Sequence, residues 1–133
     1  FNRQECRGVG VLDFQDAVYG PIREDIASRF SDAFISWPRQ KVDQWLRLYW
    51  QKAVEAGLPV PADFEQFSRD CDFMVTQRHI KIIGIFSRIC HRDGKPRYLD
   101  DVERFFTYLA DTARRRPEMF ALRELLRLIG KEY

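Results

Sequence analysis

One short segment constrains this chain more than any other. Gly8-Val9-Gly10-Val11-Leu12-Asp13-Phe14 is β-branched, bounded by glycine and ends on an acid, which is the pattern of a buried strand. Nothing else in the sequence reads as strand. A single strand is not stable alone, because its backbone groups need a sheet. The strand, about 9–14, therefore calls for partners upstream of Phe1 or in another chain. The chain also lacks an initiator Met, which suggests that it begins inside a longer protein.

After the Gly20-Pro21 turn the periodicity is helical. Pro21 suits the first turn of a helix, with Glu24 and Asp25 near its positive end and Ile22, Ile26, Phe30, Ala33 and Phe34 on one face. Trp37-Pro38 interrupts. A second helix is expected over about 39–56, with Val42, Trp45, Leu46, Tyr49 and Ala53 inward and Gly57 as its stop. A long helical stretch follows over about 63–92. Its first half carries the stripe Phe64, Phe67, Cys71 and Met74. In its second half Ile80, Ile82, Ile83, Ile85, Phe86 and Ile89 surround the axis, which predicts burial on most sides, and Gly84 predicts close helix packing or a bend. Asp93-Gly94-Lys95-Pro96 is a turn, and two helices close the chain, the last opening at Pro117.

Composition narrows the function. The 133 residues make one domain, with 45% hydrophobic and 32% charged side chains. Twenty-two basic against twenty acidic residues give a formal charge of +2, which does not favour nucleic acid or an anionic membrane as partner. No apolar run reaches the ~18–20 residues of a membrane span. Three cysteines without close spacing, Cys6, Cys71 and Cys90, point to reduced thiols and a cytoplasmic protein.

The chemistry sits where the strand ends. A carboxylate held at a loop mouth after a buried strand is a common magnesium ligand, and phosphoryl-transfer enzymes place such an Asp against nucleotide phosphates. The string Val11-Leu12-Asp13-Phe14-Gln15-Asp16-Ala17-Val18-Tyr19-Gly20-Pro21, followed by Asp25-Ile26-Ala27, resembles the metal-binding segment of the aminoglycoside phosphotransferase and choline kinase-like family. Trp37-Pro38, Ala56-Gly57-Leu58-Pro59-Val60-Pro61, Gln77-Arg78-His79-Ile80-Lys81, Gly84-Ile85-Phe86 and Arg92-Asp93-Gly94-Lys95-Pro96-Arg97-Tyr98-Leu99 look like one branch of it. That branch is the bacterial anomeric kinases of N-acetylmuramate and N-acetylglucosamine.

The resemblance implies a mainly α chain: residues 1–133 as the helical C-terminal lobe of a protein-kinase-like fold, carrying one strand whose sheet partners are missing. It implies an ATP- and Mg2+-dependent phosphotransferase acting on a small hydroxyl acceptor, a sugar or amino sugar. Asp13 would hold the metal and Asp25 would be the buried carboxylate that braces the catalytic loop. Gln15, Asp16, Arg78 and His79 are candidates for the cleft or substrate side. The nucleotide lobe, the base Asp and the metal-binding Asn of the family all precede the Asp-Phe segment, so no catalytic base is expected here and the fragment alone is expected to be inactive. The competing expectation is a non-catalytic helical module whose strand adds to a partner's sheet.

Other motifs have plainer readings. His91-Arg92-Asp93 spells the kinase catalytic loop, but Tyr98 stands where Asn is required, so an ordinary helix end is expected. Gly8-Val9-Gly10 leads into a strand, not a helix, unlike a nucleotide loop. Cys71, His79, Cys90 and His91 lack zinc spacing; buried thiols and surface histidines are expected, with His79 on a solvated face beside Arg78 and Lys81. Arg114-Arg115-Arg116 is explained by the dipole at a helix C-terminus. Trp37, Trp45, Tyr49 and Trp50 are read as core and not as a sugar-stacking platform.

Overall fold

The computed structural model describes Ile22, Asp25, Ile26, residues 37–94 and residues 98–131. The expected strand and most of the expected first helix lie outside the described residues. Ile22, Asp25 and Ile26 are helical, as the periodicity predicts, and Ile26 is buried. The described residues are mainly helical and contain no strand.

Helix α1 spans Arg39–Glu55 and ends where the sequence demands. Gly57 takes φ +66°, donates its N–H to the Val54 carbonyl at 3.0 Å, and Leu58 donates back to Ala53 at 2.9 Å. The left-handed turn that closes these bonds is costly for any residue with a Cβ. The Trp50 indole then donates to the Pro61 carbonyl at 2.8 Å, tying the proline loop back onto α1.

Asp63 starts the next helix by accepting from the N–H groups of Glu65 and Gln66 at 3.2 and 3.1 Å. Helix α2 spans Phe64–Asp93, 30 residues or roughly 45 Å, and stops at Gly94 with φ +63°. Helix α3 spans Tyr98–Arg115 and returns antiparallel along α2. The pairing is ordered along both helices: Asp72 meets Arg116, His79 meets Tyr108, and Phe86 meets Phe105. Pro117 opens a short 3-10 turn, Pro117–Met119, and α4 itself spans Phe120–Leu128. The last helix therefore begins one turn later than the proline alone suggests.

Two apolar clusters hold these elements. In one, Ile26 packs with Leu46 of α1 and Phe67 and Cys71 of α2, and Tyr49 and Trp50 close its edge. In the other, Leu109 and Ala110 of α3 pack with Leu126 of α4, joined by Ile83 of α2. Between them Phe105 is fully buried against His79 and Phe86.

The second half of α2 departs from expectation. Ile82, Ile83, Phe86 and Ile89 are half-buried, but Ile80 and Ile85 are 49% and 45% exposed. Among the described residues this stretch is covered from the side of α3 and α4, and Ile80 and Ile85 lie outside that cover. Gly84 is exposed, and a Cβ there would meet nothing within 4 Å, so none of the described residues packs closely against it. No helix among the described residues is long and apolar enough to cross a membrane.

Candidate functional site

The residues singled out from sequence separate into distinct places. Asp13, Gln15 and Asp16 lie outside the described residues. Asp25 is described and exposed, whereas the resemblance implies a buried brace. Its neighbour Ile26 is anchored between α1 and α2. That anchor brings the Asp25 charge to Tyr49 on α1, whose phenol is pushed above its ordinary pKa by burial first, then by the Asp25 carboxylate and Cys71.

Arg78 and His79 are adjacent in sequence but face different surroundings. Arg78 is exposed on α2. His79 is 3% exposed, with its ring 5.3 Å from Phe105 and 5.4 Å from Tyr108. The expected solvated face is thus incorrect for His79: an α2 position facing the aromatic row of α3 is inside whatever its polarity. Of the thiols, Cys71 is buried and Cys90 half-buried, and His91 is exposed. Among the described residues no group of three or more His, Cys, Asp or Glu side chains could hold a metal ion. His91, Arg92 and Asp93 form the exposed end of α2, with Arg92 paired to Asp93 at 2.6 Å.

The aromatic set divides as well. Trp50 packs edge-on to Phe64, and Tyr49 stacks on Phe67, both against the core. Trp37, 40% exposed, meets Trp45 edge-to-face at 5.2 Å.

The densest polar arrangement was not evident in the sequence. Asp72 of α2 is 3% exposed, and three guanidinium groups converge on it. Arg116 reaches its Oδ2 at 2.7 Å, Arg39 reaches Oδ1 at 3.2 Å, and Arg115 approaches Oδ2 to 3.5 Å. Arg116 also pairs with Glu65 and donates to the Ser68 hydroxyl at 3.0 Å, and Arg39 pairs with Asp43 at 2.8 Å. Burial acts to lower the Arg116 pKa, but its hydrogen bonds to Glu65 and Asp72 outweigh this and raise it; at Arg115 desolvation prevails and the pKa falls.

The arginine triplet is therefore not a simple dipole complement. Arg116 lies beyond the last turn of α3 and serves as a tie to α2, while Arg114 stays on its own helix with Asp111. The available signal was an acid set inside the apolar run Cys71-Asp72-Phe73-Met74-Val75, which needs a counter-ion once buried. Chemically the arrangement is a joint: one buried carboxylate fixes the start of α1, the first half of α2 and the end of α3.

Three curated relatives are similar to this chain along most of its length. The N-acetylmuramate/N-acetylglucosamine kinase of Pseudomonas putida is 62% identical over 123 residues, 92% of this chain and 36% of the relative. That of Pseudomonas aeruginosa is 58% identical over 117 residues, 88% of this chain and 35% of the relative. That of Neisseria meningitidis serogroup B is 48% identical over 124 residues, 92% of this chain and 37% of the relative. The chain spans about a third of the length of the curated relatives it matches. No family model and no solved structure matches it.

Proposed function

We propose that this chain is the helical C-terminal part of an ATP- and Mg2+-dependent cytoplasmic kinase that phosphorylates an amino-sugar hydroxyl. The observation that carries this reading is the 62% identity, across nearly the whole chain, to a protein named for that activity. The resemblance of the segment around Asp13 to the aminoglycoside phosphotransferase family supports it independently of those names.

In this reading the nucleotide lobe, base and phosphate clamps belong to the portion of the relatives that this chain does not span. The γ-phosphoryl group leaves ATP, its bond to the bridging oxygen breaks, and the acceptor hydroxyl oxygen takes it while losing its proton. Magnesium, when bound, neutralises phosphate charge. Asp13 is the proposed metal ligand. Asp25 is the proposed brace, held in place through the burial of Ile26. Gln15, Asp16 and the exposed Arg78 remain proposed for the cleft, and His79 for the substrate side through its packing on α3. The α1–α2–α3 joint at Asp72 fixes the first half of α2, the helix that carries Arg78 and His79.

The test is ADP release by the intact protein with N-acetylmuramate and with N-acetylglucosamine in the presence of ATP and magnesium. Turnover of either sugar is expected; no turnover of either would contradict the assignment.

A further inference from the structure

We propose that the side of α2 which no described element covers seats a helix from the part of the full-length kinase that this chain does not span. Two sides of α2 are already taken. Thr76 and Phe86 meet Met119 and Phe105, and Ile83 joins the cluster of α3 and α4. Phe67 and Cys71 meet α1 and Ile26. Helix α1 runs along the first half of α2 only, since Trp50 meets Phe64 and Arg39 meets Asp72. A third side remains. Phe73, Gln77, Ile80, Lys81, Ile85 and Arg88 are all exposed. Their spacing, i, i+4, i+7, i+8, i+12 and i+15, gathers them on one face, roughly 22 Å from end to end.

The composition of this face states what fits it. Single exposed apolar residues need no explanation, but Phe73, Ile80 and Ile85 form a row at helical spacing, the kind of ridge by which helices pack. Lys81 and Arg88 make no ion pair with any described residue, and no carboxylate occurs between Asp72 and Asp93. The matching surface is therefore an apolar stripe bordered by Asp or Glu. Length argues for its source. The residues that match the Pseudomonas putida relative make up 36% of it, so nearly two thirds of a protein of that length lies outside the matched part. A helix of about 15 residues covers the row. The inference rests on the kinase reading, because it takes this chain as part of a protein of that size.

The experiment is photo-crosslinking of the intact protein with p-benzoylphenylalanine in place of Lys81, mapped by peptide mass spectrometry. The cross-linked peptide is expected to come from outside residues 1–133, to carry Asp or Glu, and to form in a yield that does not change on dilution. Cross-links within residues 1–133, covalent dimers that fade on dilution, a partner peptide with neither Asp nor Glu, or no cross-link at all overturn the proposal. If that variant does not fold, maleimide labelling of Ile80→Cys in the intact protein serves, with Lys52→Cys on exposed α1 surface as the reference. Ile80→Cys should react at least about tenfold more slowly in the native protein and equally fast in urea, as a seat buried by packing requires. Equal native rates overturn the proposal. These readouts can fail while sugar turnover stands, and a cross-link found without turnover of either sugar would contradict the kinase reading alone.

Discussion

Replacing Asp72 with Asn would leave Arg39, Arg115 and Arg116 facing one another with no carboxylate between them. Breaking a buried ion pair from one side costs roughly 3–5 kcal/mol, and the partial exposure of two of the arginines places this case toward the lower figure. We expect Asp72→Asn to lose about 3 kcal/mol in urea unfolding; a loss under about 1 kcal/mol would contradict the joint. A gentler effect is expected at Glu118. Its carboxyl is held below the ordinary range by its own backbone N–H and then by Arg69, which donates at 3.1 Å. A depressed carboxyl pKa contributes stability above the unfolded value and loses it as pH falls through the folded one. Arg69→Met should raise the Glu118 pKa in an NMR titration, and its stability difference from wild type should vanish in acid. Likewise Asp25→Asn should lower the Tyr49 phenol pKa in an ultraviolet titration; no change would mean that the Asp25 charge does not reach α1. The sequence displayed every one of these groups but not their pairing. Asp72 and Arg116 are 44 residues apart, and only the antiparallel return of α3 brings them together.

At the scale of elements, local signals were strong and lateral ones weak. Gly57, Asp63 and Gly94 mark helix ends through bonds made within a few residues, so the limits of α1 and α2 could be read directly. Which side of α2 is covered depends on where α3 lies. Hence Ile80 and Ile85 look like core but are exposed, while the polar His79 is inside. Two glycines separate these cases. Gly84→Ala adds a methyl group into open space on an α-helix and should stabilise by up to about 1 kcal/mol. Gly57→Ala forces a Cβ into the left-handed region and should destabilise by about 1 kcal/mol. Thermal unfolding of the two variants should shift in opposite directions; a fall in both would mean that Gly84 is in close contact after all.

For the whole molecule, the fold class was legible because helical spacing extends over most of the chain, and the described residues are mainly helical. The site was legible only as a resemblance, since Asp13, Gln15 and Asp16 lie outside the described residues. The chain covers about a third of the length of its curated relatives, and the activity in their names is that of proteins of that full length. The residues 1–133 alone should hydrolyse or transfer no phosphate, which a purified fragment would show. The most direct measurement of the central claim is amino-sugar phosphorylation by the intact protein, wild type against Asp13→Ala, with the fold of the variant checked by circular dichroism. Magnesium-dependent transfer is expected in wild type, with a loss of at least about a hundredfold in a folded Asp13→Ala. Undiminished turnover in that variant would contradict it.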